Sequence, residues 1–316
     1  MVRFLSTVAL AKVETLAPIA AALLLLTIGA AADQEQRPVF RTDVGMVPVY
    51  VSVNDGAGSF VLDLKPADFE VRDDGKLQEI SYFTTDAQPL SVVILIDGST
   101  SMTPVYDAVI EAATSFVLRM LPADRAAVAS FADRFQMRQS FTSDRDRLLK
   151  HLHDPFSIRM GLETRLYDAL IESAMAVGKE EGRRVVLAIT DGKNWTYNGG
   201  GSLGDLHRPR ETLGQALSRD VMIYAAAMWT VYDGKTESPD PWISRLAENT
   251  GGGYVELRPG TDMNATFTGV MEELHRQYVL GFVPKTLDGK EHKLDVKVKR
   301  SGVKVRSRKS YIAAKR

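Results

Sequence analysis

One stretch limits the architecture more than any other. Leu90-Ser91-Val92-Val93-Ile94-Leu95-Ile96 is an apolar run without alternation, and it stops at Asp97. A strand that is apolar at consecutive positions is buried on both faces, the signature of a parallel sheet covered by helices on each side. Such a sheet needs crossover connections, and its ligands bind beyond the carboxyl ends of the strands, where Asp97 falls. The downstream chain supplies the alternation. Strand patterns at 126–132, 183–190 and 221–228 are interleaved with helical patterns beginning at Thr164 and spanning 210–219, 241–249 and 263–275, with 135–141 as an antiparallel edge strand and 254–256 as a short strand.

The end of the first strand carries chemistry. Asp97, Ser99 and Ser101 lie at every second position, so in extended backbone their oxygens converge on one side. The chain has no cysteine, and hard oxygen donors suit Mg²⁺ or Mn²⁺ better than Zn²⁺. Thr103 is placed as an N-cap and Pro104 as a first helical residue, with Val105, Val109, Ala112, Phe116, Val117 and Met120 as the buried stripe that follows.

With two further loops the pattern resembles the metal-ion-dependent adhesion site of von Willebrand factor A domains. Thr164 stands in Gly161-Leu162-Glu163-Thr164-Arg165, and Asp191 ends the buried run Val185-Val186-Leu187-Ala188-Ile189-Thr190. Gly98 and Thr100 fill the spacer positions in the order opposite to the usual one, and both are small. The resemblance implies a cation ligated by Asp97, Ser99, Ser101, Thr164 and Asp191, with an Asp or Glu of a protein partner completing the shell, and a binding module in place of an enzyme. Leu64-Lys65-Pro66-Ala67-Asp68-Phe69-Glu70-Val71, ahead of this unit, resembles the same region of exported acidobacterial VWFA-related proteins.

Other readings compete at this stage. A helix N-terminus behind the first loop favours an anion, but a phosphate site would leave Asp97 and Asp191 aimed at negative charge, and the loop has no glycine-rich run. A hydrolase using Asp97 or Ser99 would need a base, and of five histidines only His207 is placed near that face. An assembly module of an envelope complex is the remaining alternative. Trp195, Tyr197, Trp229 and Trp242 fall on loops at the metal end of the sheet, where they either anchor the loops or form a partner surface.

Outside this unit the pattern changes. Residues 1–32 read as a signal peptide, with Arg3 and Lys12 before an apolar run and small residues at 29–32, which predicts a secreted or periplasmic protein; an uncleaved anchor is the alternative. Residues 38–87 and 285–316 read as short antiparallel strands, the latter alternating apolar with basic. Neither segment makes an independent core, so both chain ends are expected to build one small β-sandwich into which the doubly wound unit, residues 88–284, is inserted. Asp55-Gly56 and Asp74-Gly75 read as turns in preference to calcium ligands. A net charge of −1 gives no basis for nucleic-acid binding, and the basic C-terminal strands read as a solvated face in preference to a patch for acidic polymer or anionic lipid.

Overall fold

A computed structural model of the chain describes residues 45–154, 161–195, 208–232 and 235–315. The segment read as a signal peptide, Tyr197 and His207 lie outside them. Ahead of the apolar run, β1 (Val47–Asn54) points Val47, Val49, Val51 and Val53 into one core, and β2 (Phe69–Asp73), β3 (Lys76–Gln78) and β4 (Tyr82–Thr84) follow. Asp55 folds the first connection by accepting from the amides of Ala57 and Ser59, both at 2.9 Å. Asp74 and Gly75 take positive φ of 46° and 78°, closing β2 onto β3 as a tight hairpin. Both aspartates therefore serve turns.

The central unit begins with β5 (Leu90–Asp97), buried at every residue. A 3₁₀ segment, Thr100–Val105, precedes α1 (Tyr106–Leu118), and then come β6 (Arg125–Phe131), β7 (Phe135–Thr142), α2 (Arg145–Leu152), α3 (Leu166–Val177) and β8 (Arg183–Thr190). After them α4 (Arg208–Ser218) leads to β9 (Val221–Met228), a hairpin of β10 (Thr230–Tyr232) and β11 (Lys235–Glu237), α5 (Pro241–Thr250), β12 (Tyr254–Leu257) and α6 (Met263–His275). The sheet order is β12-β9-β8-β5-β6-β7, parallel except for β7. Successive residues of β5 serve opposite faces, as strand periodicity requires. Val92, Ile94 and Ile96 pack with α1, α2 and α6, while Val93 and Leu95 pack with α3 and α5. No helix among the described residues is long and apolar enough to cross a membrane.

Thr103 is not the N-cap of the first helix. The chain curls into the 3₁₀ turn, with the Met102 amide donating to Ser99 O at 3.0 Å and the Met102 side chain buried, so the α-helix starts two residues later than expected, at Tyr106, with Val105 in the cap position.

The chain then returns through β13 (Tyr278–Phe282), β14 (Glu291–Val298), β15 (Lys304–Arg306) and β16 (Ser310–Ile312). Two antiparallel sheets result, β15-β1-β13-β4 and β16-β14-β2-β3, around a core that includes Phe69, Val71, Tyr278, Leu280, Phe282, Leu294, Val296 and Tyr311. β13 lies between β1 and β4, so the C-terminal strands of the sandwich start at Tyr278 and not after residue 284. Both sheets thus combine strands from before and after the central unit, which alternate in the first and meet at the β14–β2 pair in the second.

The sandwich meets the amino-terminal edge of the parallel sheet through polar groups on the other face of β1. Ser52 Oγ donates to Glu273 at 2.6 Å, and Glu273 also accepts from Tyr224 Oη at 3.0 Å. The Arg183 guanidinium lies 4.5 Å from the Tyr50 ring, while Arg308 reaches Asp220 and the Pro48 carbonyl.

Candidate metal centre

The carboxyl ends of β5 and β8 lie side by side, because the two strands pair in parallel register from Leu90 with Arg183 to Ile96 with Ile189. Asp97 and Asp191 are therefore brought together by sheet geometry alone. Both are buried, at 0% and 1% exposure. Asp97 Oδ1 accepts from the Ser99 amide at 2.8 Å and Oδ2 from the Thr190 hydroxyl at 2.6 Å. Burial first, and the Asp191 charge second, push the Asp97 carboxyl up to about 7, against the pull of the Thr190 and Ser99 hydrogen bonds. Asp97 thus resists carrying charge in this buried site unless positive charge arrives.

The hydroxyl groups belong to the same loops. Ser99 is the cap position of the 3₁₀ segment, but its side chain makes no capping bond; its Oγ lies 3.0 Å from Ser101 Oγ. Thr164 is buried in a loop that is pinned on both sides. Its amide donates to Trp195 O at 2.8 Å, and the Trp195 amide donates back to Thr164 O at 2.9 Å. On the other side the amide of Gly161 donates to Gly98 O at 3.0 Å, Glu163 to Asp133 Oδ1 at 2.8 Å, and Arg165 to Ala132 O at 3.0 Å. A Cβ on Gly161 would come within 2.6 Å of Ala132 Cβ and 2.8 Å of Asp133 Oδ1, so only glycine permits this close approach to the turn after β6.

Asp191 supplies the most informative atom. Its Oδ1 accepts from the Lys193 amide at 3.0 Å, whereas Oδ2 is buried and takes no hydrogen bond among the described residues. A buried carboxylate oxygen without a donor is costly, and it is satisfied when a cation binds. Two carboxylates, three hydroxyls and no thiol form a donor set for a hard divalent ion, which the residues present therefore fit.

The rim is less uniform than the loops suggest. Trp195 is 43% exposed beside Thr164, and Leu162 in the same loop is 70% exposed. Trp229 donates from Nε1 to Glu256 at 3.0 Å and stacks under Arg258 at 4.6 Å. Trp242 lies in the first turn of α5, packs on the core beneath it and carries Arg245 at 4.8 Å. Arg165 pairs with Glu163 at 2.9 Å, and Asp168 with Arg208. His153 meets Thr114 of α1, His275 meets Asp124, and His292 sits in the sandwich. Two contributors have no strong sequence signal: Thr190, which braces Asp97, and the β10–β11 hairpin, tied to the Asp191 loop by Lys193 Nζ at 3.0 Å from Thr230 Oγ1 and 2.5 Å from Glu237.

Residues 92–193 match the family model of the von Willebrand factor type A domain, a span that takes in Asp97, Ser99, Ser101, Thr164 and Asp191. No curated protein matches. Among solved structures, the chain is similar to the conserved hypothetical protein BatB from Bacteroides thetaiotaomicron, with 16% identity over 58% of this chain and 97% of that one, at a TM-score of 0.45. It is similar also to a von Willebrand factor type A protein from Catenulispora acidiphila, with 12% identity over 87% and 76% of the two chains, at 0.48. A third likeness is to proximal thread matrix protein 1 from the mussel byssus with a zinc-occupied MIDAS motif, with 20% identity over 63% and 48%, at 0.47. The central α/β unit has the fold of a von Willebrand factor type A domain, set within a β-sandwich drawn from the sequence on both sides of it.

Proposed function

We propose that this chain is an exported protein-binding module with a metal-ion-dependent adhesion site. Asp97, Ser99, Ser101, Thr164 and Asp191 hold a divalent cation, Mg²⁺ or Mn²⁺, and an Asp or Glu of a partner protein completes its shell. The observation that carries this reading is the buried Oδ2 of Asp191, without a donor among the described residues, in an end of the sheet that also buries the Asp97 carboxylate. Bound there, the cation would supply the positive charge that lets both carboxylates stay ionised, and an open position for an anionic ligand. Around it this chain's own residues do the selecting. Leu162 and Trp195 offer apolar surface next to the charge, a composition suited to the centre of an interface. Trp229 and Trp242 hold the neighbouring loops. No bond is made or broken in this scheme, so the module is not an enzyme.

Thermal unfolding against Mg²⁺, Mn²⁺ and Ca²⁺ tests the metal. Ion at about a hundred times its dissociation constant should stabilise the chain by roughly 2.7 kcal/mol, and Asp97→Ala and Thr164→Ala should abolish the shift. Equal shifts in wild type and both variants would remove the site. Capture of an acidic partner that is lost with chelator, and weakened by Trp195→Ala at unchanged melting temperature, tests the surface; capture indifferent to chelator would point to a structural assembly role.

A further inference from the structure

The outer sheet of the sandwich buries a histidine among carboxylates. His292 of β14 is buried, with Nδ1 2.9 Å from Asp73 Oδ1 at the end of β2 and 3.5 Å from Asp74 Oδ2 in the β2–β3 turn. Its Nε2 lies 3.2 Å from Asp288 Oδ1 in the connection between β13 and β14. On the remaining side Tyr311 of β16 brings its ring to 5.4 Å and its hydroxyl to 3.4 Å from Nδ1, with Arg308 beyond it, 5.8 Å from the Tyr311 ring. Neutral imidazole has one N–H and one lone pair. A ring with a carboxylate at each nitrogen therefore matches the imidazolium, which donates from both. Neither nitrogen is left open for a metal, although Asp73, Asp74 and His292 lie close enough to share one.

We propose that His292 is a proton-operated clasp that fastens the β13–β14 connection to the end of β2 and lets go when the ring loses its proton. The carboxylates it joins also hold backbone. Asp288 Oδ1 accepts from the Lys290 amide at 2.9 Å, and Asp74 Oδ1 from the Lys293 amide at 2.9 Å. The Asp288 backbone additionally forms an isolated antiparallel β-bridge with Lys315. With the proton gone, a ring lone pair faces one of these carboxylates, and both strands lose an anchor. Burial alone would depress the His292 pKa, but hydrogen bonds from Asp73 and Asp288 and the charges of Asp73 and Asp74 together raise it. A folded-state value above the unfolded one adds stability that is complete below about 6.5 and is lost as pH rises through the raised value.

The experiment is a pH series on the metal-free full chain beside His292→Gln. Wild type should lose roughly 2–4 °C of melting temperature between about pH 6 and pH 9 relative to the variant. Amide exchange at Lys290 and Lys293 should accelerate over the same range by more than its intrinsic pH dependence. Nitrogen NMR of the wild-type ring at pH 6 should show both nitrogens protonated, and this arm needs no variant to fold. A ring titrating at or below the free-imidazole value, or matching pH slopes in the two proteins, would overturn the clasp. So would stabilisation of Asp97→Ala by Zn²⁺ or Ca²⁺ that vanishes on adding His292→Gln, which would assign the cluster to a cation.

Discussion

At the scale of single residues, the centre depends on atoms that are not themselves proposed ligands. Thr190 stands one position before Asp191, and its hydroxyl donates to Asp97 Oδ2 while accepting from the Gly192 amide at 3.0 Å. It therefore fixes the orientation of one carboxylate and the turn that presents the other; Gly192, at φ 75°, completes that turn. Thr190→Val keeps the shape and removes the hydrogen bond. A bond of this kind contributes about 1 kcal/mol, so Mn²⁺ affinity measured by calorimetry should fall roughly fivefold, with Thr190→Ser restoring it. Unchanged affinity in the valine variant would mean that the carboxylates hold themselves in place. Nothing in the sequence marks Thr190, because threonine is an ordinary strand residue. Asp97 and Asp191 were legible because each interrupts an apolar run with a charge, and Asp-x-Ser-x-Ser has a spacing that extended backbone turns into geometry.

At the scale of elements, the strands and helices of the central unit were legible from their periods, and the partners of β13 were not. Tyr278-Val279-Leu280-Gly281-Phe282 is an unbroken apolar run, the pattern of a strand covered on both faces, and it falls within the span 88–284 assigned to the central unit. It is buried at every residue for a different reason: one face covers the sandwich core, while its neighbour β1 turns Tyr50 and Ser52 toward the α/β unit. Burial on two faces constrains what surrounds a strand and leaves its direction open. The β10–β11 hairpin went unread because three-residue strands carry almost no periodic signal. Pairing does predict the effect of cutting the chain. β2 runs alongside β14 over five residues and has otherwise only the three residues of β3, whereas β1 keeps β13. Removing residues 290–316 should abolish amide protection in β2 and β3 and leave β1 and β13 the better protected pair, as hydrogen exchange will report. Full protection of β2 in the shortened chain would refute this view of the sheet.

At the scale of the molecule, the seam between sandwich and α/β unit decides whether there is one folding unit or two. Glu273, near the end of α6, is the acceptor where the two meet. It takes hydrogen bonds from Ser52 of β1 at 2.6 Å, from Tyr224 of β9 at 3.0 Å and from Gln277 at 3.3 Å, and pairs with Arg306 of β15. The Arg183 guanidinium, at the start of β8, lies 4.5 Å from the Tyr50 ring of β1, and the Lys309 amide donates to Asn249 O at 3.0 Å. Separating the halves would strip these groups of their partners, and a buried polar group left without one costs on the order of 1–3 kcal/mol. Several such groups exceed what a half-built sandwich could return, so the two parts should unfold together. Divalent cation bound at Asp97 and Asp191 must then raise the melting temperature of amides in β2 and β14, at the far side of the molecule, as much as those in β5. Glu273→Ala should uncouple them, leaving the cation-dependent shift in the α/β unit and removing it from the sandwich. A wild-type shift confined to the central sheet would mean that the sandwich is a separate unit and the seam only a contact.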